Sequence, residues 1–124
     1  MTEKGKSLEI RAECDYYHVK IMLETHGAVC VGKESKKEDI NIPPGYLNIE
    51  REIYELRDKS LKFQINKVKG IGSFVEITPF STENGEGKNF MKKCSTYLSL
   101  FGISEDNLTS QSYADIYQNS LKAH

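Results

Sequence analysis

Residues 60–78 read SLKFQINKVKGIGSFVEIT, and the architecture of the chain turns on them. Leu61, Phe63 and Ile65 alternate with Lys62, Gln64 and Asn66, the period of a half-buried strand. GIG (70–72) supplies a turn, and SFVEI (73–77) alternates again. Val75 and Ile77 share one face there, while Phe74, Glu76 and Thr78 share the other. An antiparallel hairpin is therefore expected, apolar on one side, with the carboxylate of Glu76 on the other.

Outward from this hairpin the pattern stays readable. REIYEL (51–56) precedes it as a strand, joined to it through Arg57-Asp58-Lys59. SLEIRAEC (7–14) places Leu8, Ile10 and Ala12 on one face and Ser7, Glu9, Arg11 and Glu13 on the other. Asp15 then stands where a helix N-cap belongs, Val19, Met22 and Leu23 form a helical stripe, and Gly27 ends it. AVCVG (28–32) reads as a short strand, KESKKED (33–39) as a solvated connection, and INIPPGYLNI (40–49) as a weakly alternating segment around a Pro-Pro-Gly turn. STENGEGK (81–88) is a polar loop. From Asn89, Phe90, Cys94, Tyr97, Leu98 and Phe101 recur at helical spacing up to Gly102. Ser104 caps a short turn, and 112–122 forms a last helix with Tyr113, Ile116 and Tyr117 on one side. The order β-α-β, antiparallel strands, then α-α predicts a single α+β domain over 1–124.

Composition narrows the function. With 124 residues, 38% apolar and 28% charged, the chain is globular and supports one core. Lys and Arg number 17 against 18 Asp and Glu, a net charge of −1, which gives no electrostatic case for nucleic acid or a membrane surface as partner. Cys14, Cys30 and Cys94 are widely spaced and odd in number, unlike a disulfide framework or zinc knuckle, so each reads as a small hydrophobe. MTEKGKS has no apolar leader core and no apolar run of membrane length occurs, so a cytoplasmic, reducing compartment is the default expectation. GxGxxG, a Gly-rich phosphate loop, HExxH and GxSxG are all missing, and His18, His26 and His124 form no ligand-spaced set.

What remains is charge on the polar strand faces. Glu9, Arg11 and Glu13 lie on one strand, Lys62 and Lys67 on another, and Glu76 on a third. Were these faces to curl inward, carboxylates suited to a hard divalent metal would stand beside cations suited to phosphate oxygens. The alternative is the solvent face of a sheet packed on helices from its other side. Spacing alone favours the solvent face.

The order and spacing of REIYEL, SLKFQINKVKGIGSFVEI, the helix ending LFGI, and SYADIY resemble the CYTH family of class IV adenylyl cyclases and thiamine triphosphatases, the triphosphate tunnel metalloenzymes. SLEIRAEC, the helix to THGAVCVG, and KKEDINIPPGYLNI resemble that family's opening strand, first helix and Asp…Pro-Gly segment, so nearly the whole chain is covered. The resemblance implies an antiparallel β tunnel, with Mg²⁺ or Mn²⁺ on Glu9 and Glu76. Arg11, Arg51, Lys62 and Lys67 would then hold the phosphates of ATP, thiamine triphosphate or tripolyphosphate. It implies hydrolysis of that ligand or cyclisation of ATP, with no catalytic residue assigned. The departures imply a second outcome, a catalytically degraded binding or interaction module; a third is a fragment without ligand. Where the family has Glu-x-Glu-x-Lys the chain has Ser7, Glu9 and Arg11; where it has Leu-Lys-Leu-Arg the chain has Leu47, Asn48, Ile49 and Glu50. Asn66 stands for a family Asp, and Thr78 for the second Glu of the last strand. YLNI also runs directly into EREIYEL, as though a middle block were deleted, so the barrel is expected to be open or incomplete. Homodimerisation or strand exchange is one way to cover an open edge.

Overall fold

The computed structural model describes residues 9–41, 44–79 and 87–122. Within them the order is β1 (Ile10–Glu13), α1 (Tyr16–Thr25), β2 (Val29–Ile40), β3 (Gly45–Glu55), β4 (Leu61–Val68), β5 (Gly72–Pro79), α2 (Gly87–Phe101) and α3 (Tyr113–Lys122), with a 3₁₀ turn at Glu105–Asn107. The strands form one antiparallel sheet in the order β1-β5-β4-β3-β2. This is the expected α+β architecture. The sheet is open, with β1 and β2 as its edges.

Alternation sends the two faces of the sheet to different helices. Ile10 and Ala12 of β1, Val75 and Ile77 of β5, Phe63 and Ile65 of β4, and Tyr54 of β3 point one way and are all buried. Val19 and Leu23 of α1 and Phe90, Cys94, Leu98 and Phe101 of α2 complete that core. Asp15 starts α1 by accepting from the backbone N–H groups of Tyr17 and His18, and Gly27, at φ +85°, lets the chain leave it. On the other face, Ile40, Leu47, Ile49, Val68 and Phe74 pack under Tyr113 of α3. The α3 face is thus apolar at one end and polar across its middle.

The expected connection over 33–39 is instead strand. Lys33 to Asp39 continue β2 and pair residue by residue with Tyr46 to Glu52 of β3. The segments expected at 40–49 and 51–56 accordingly fuse into the single strand β3. Edge position explains the missed alternation: β2 is exposed along most of its length, so neither face had to be apolar. Its lysines and acids also blunt an edge that would otherwise template pairing. The β2–β3 register shifts between Cys30 and Gly32. The opening strand is shorter than expected, with residues 7 and 8 outside the described part, as is most of the loop expected at 81–88. α2 starts two residues before Asn89.

Candidate functional site

A line of polar side chains crosses the α3 face from edge to edge. Arg11 on β1 lies opposite Glu76 on β5, Glu76 opposite Gln64 on β4, Asn66 opposite Arg51 on β3, and Arg51 opposite Glu34 on β2. Hydrogen bonds connect the line. Arg11 Nε donates to Glu76 Oε2 at 3.0 Å, Asn66 Nδ2 donates to the same oxygen at 3.1 Å, and the Tyr113 hydroxyl donates to it as well. Asn66 Nδ2 also reaches the Tyr113 oxygen at 2.9 Å, while its Oδ1 accepts from Arg51 Nε at 2.8 Å. Arg51 Nη1 ends the line on Glu34 Oε2 at 3.2 Å.

Burial makes this network costly to leave incomplete. Asn66 is 0% exposed and Glu76 5%, and they are the buried polar residues among those described. No buried side-chain nitrogen or oxygen among the described residues lacks a hydrogen-bond partner. Burial alone would raise the Glu76 pKa, but the Tyr113 hydrogen bond and the Arg11 charge outweigh it and hold Glu76 below the ordinary carboxylate range. Burial and the facing Glu76 push the Tyr113 phenol up, so it stays a donor. Glu9 is raised, first by burial and then by Glu76 beside it. Arg11 is pinned further: its Nη1 donates to the Gln111 carbonyl, and its Cζ lies 4.6 Å from the centre of the Tyr113 ring.

The expected site residues divide by strand parity. Glu9, Arg11, Arg51, Lys62 and Glu76 belong to the α3 face, with Lys62 opposite Thr78 and Glu55 at the end of β4 away from α3. Lys67 belongs to the other face, opposite Glu50 and Ser73, its Nζ 4.3 Å from the Tyr16 ring centre. There it lines a cleft of about 310 Å³ with Lys33, Glu34, Ser35, Glu50, Arg51 and Glu52. That cleft carries as many carboxylates as cations. Beside it, Glu52 accepts from the hydroxyls of Tyr16 and Tyr54. The sequence reading missed three members of the α3-face network, Asn66, Tyr113 and Glu34, the last of which fell in the segment expected to be a solvated connection. Asn66 drew notice as a departure from a family pattern, and Tyr113 as part of a helical stripe; neither carried a signal of contact with Glu76.

Among the described residues the donors fall short of a site for Mg²⁺ or Mn²⁺. A hard divalent cation takes about six oxygens. By strand parity Glu9, Glu13, Glu34, Glu38, Glu55 and Glu76 are on the α3 face, but they are spread across it, and no group of three His, Cys, Asp or Glu placed to hold a metal occurs among the described residues. Glu76 Oε2 already accepts three hydrogen bonds, one of them from a guanidinium.

No protein-family model matches the sequence, and no curated protein matches it. Solved structures do match its shape. The PH1012 protein of Pyrococcus horikoshii OT3 superposes with a TM-score of 0.70 at 14% identity, over 90% of this chain and 99% of that one. A conserved hypothetical protein from Pyrococcus furiosus gives 0.68 at 15%, over 90% and 99%. A Vibrio parahaemolyticus protein described as a "putative adenylate cyclase" gives 0.69 at 9%, over 90% and 97%. At these identities the likeness establishes a shared fold and leaves chemistry to the residues. No helix among those described is long and apolar enough to cross a membrane.

Proposed function

We propose that this chain is a CYTH-like binding module, which holds a small phosphorylated anion against the α3 face without turning it over. The observation that carries this reading is the state of Glu76, whose Oε2 is committed to Arg11, Asn66 and Tyr113 rather than presented to a metal-bound substrate. The binding half rests on the two arginines. Each is fixed through Nε and Nη1, and among the described residues neither Nη2 makes a hydrogen bond. Their side chains keep 19% and 14% exposure, enough for an oxyanion to meet planar, preoriented donors. Lys62 adds a third cation on the same face.

Thermal unfolding with tripolyphosphate, thiamine triphosphate and ATP, with and without Mg²⁺ or Mn²⁺, tests this reading alongside assays of released phosphate and cyclic AMP. A ligand-dependent rise in Tm with no product is the expected result. Product formation would overturn the non-catalytic half. An unchanged Tm with all three ligands would overturn the binding half.

A further inference from the structure

Arg11 is held more firmly than a phosphate-binding cation on a solvent face needs to be. Its Nε meets Glu76 Oε2 at 3.0 Å, its Nη1 meets the Gln111 carbonyl, its guanidinium lies over the Tyr113 ring, and its backbone carbonyl accepts from Thr109 N–H at 2.9 Å. Three contacts, from β5, from α3 and from the segment leading into it, fix the guanidinium against the one buried carboxylate of this face, and the Thr109 bond holds the backbone beneath it. A divalent cation placed on Glu76 Oε2 would have to displace that guanidinium.

From this arrangement we infer that Arg11 takes the electrostatic role of a divalent cation, so that the α3 face binds its phosphate-bearing ligand without metal. The inference rests on the binding reading above and sharpens it: the ligand is the uncomplexed anion, not its magnesium salt. Guanidinium and metal act on phosphate oxygens by the same attraction, but the guanidinium adds direction through its N–H groups and needs no carboxylate cage. Magnesium then competes with the protein for the anion.

Calorimetric titration with tripolyphosphate, in EDTA and in excess Mg²⁺, separates the outcomes. Affinity in EDTA is expected to equal or exceed that in Mg²⁺. Arg11→Gln is expected to weaken binding in EDTA by about tenfold or more, the loss of one charge-assisted hydrogen bond. Should that variant fail to fold, Arg11→Lys keeps the charge without the fork and is expected to weaken binding by a smaller factor. Mn²⁺ titrated into the protein alone and followed by electron paramagnetic resonance is expected to show no stoichiometric site. Binding only with metal, or one bound Mn²⁺ per chain lost in Glu76→Gln, would overturn the inference while leaving the binding module intact. No heat in either buffer would remove both.

Discussion

The Tyr113 hydroxyl at the start of α3 donates to Glu76 Oε2 in the middle of β5, joining residues 37 positions apart. This contact couples a helix to the one buried carboxylate of the sheet. The Tyr113 ring also lies 5.0 Å from the Phe74 ring, so the same side chain fills the apolar end of the face and completes its polar centre. The helix is anchored from a second side, where Glu38 of β2 accepts the Ala114 backbone N–H at 3.1 Å.

Removing only the hydroxyl isolates the polar half of that contact. Tyr113→Phe keeps the ring's packing on Phe74 but deprives Glu76 of a donor and Asn66 of a partner, both in buried surroundings. A loss of about 1–2 kcal/mol in unfolding free energy is expected. Urea denaturation of both proteins at pH 7 measures it. Equal midpoints and slopes would mean the hydroxyl bond contributes nothing in solution.

Glu76 makes stability depend on pH in a defined direction. Against the upward push of burial, Tyr113 and Arg11 hold its folded-state pKa below the unfolded value. Its contribution is therefore fully present above the ordinary carboxylate range and is lost as pH falls through the lowered folded value. Glu9, raised by burial and by Glu76, acts with the opposite sign, so the comparison belongs in a Glu9→Gln background. In that background Glu76→Gln should cost about 2 kcal/mol at pH 7, less than a wholly buried pair because Arg11 remains partly solvated. The difference should close toward pH 3. A cost independent of pH would show that the charge of Glu76 is not what Arg11 requires.

Asn66→Asp places a second carboxylate 3.1 Å from the first and removes both amide donors. Two like charges in a buried site, with Tyr113 able to serve only one, should cost about 3 kcal/mol at neutral pH. The gap to the parent should narrow in acid, where one carboxyl takes a proton and donates again. Parallel denaturation series from pH 7 to pH 4 decide this. A variant as stable as the parent at pH 7 would mean that Arg51 and Arg11 together neutralise both groups.

Much of this architecture could be read from residue order because its central strands each bury one face. Phe63, Ile65, Val75 and Ile77 alternate against a core, and that alternation specified both register and side. β2 was opaque for the opposite reason: Lys33 through Asp39 have solvent on both faces, so no periodicity marks them as strand. The partnership of Tyr113 with Glu76 was opaque too, since a helical apolar stripe says which side faces inward and not what it meets. Lys67 is different again. It lies five positions from Lys62, an odd number, so strand alternation alone already separates the two.

That separation yields a test of where the ligand sits. Arg51 is the one candidate cation that belongs to the α3-face network and also lines the cleft containing Lys67. If tripolyphosphate binds on the α3 face, Arg11→Gln and Arg51→Gln should each weaken it by about tenfold, as expected for a lost charged hydrogen bond, while Lys67→Ala changes it little. Binding in the cleft reverses the order, with Lys67→Ala and Arg51→Gln damaging and Arg11→Gln mild. The two cations that differ in parity, Arg11 and Lys67, therefore decide between the faces. Arg51 serves as the control that should respond in either case, and calorimetric titration of the three variants reads the answer directly.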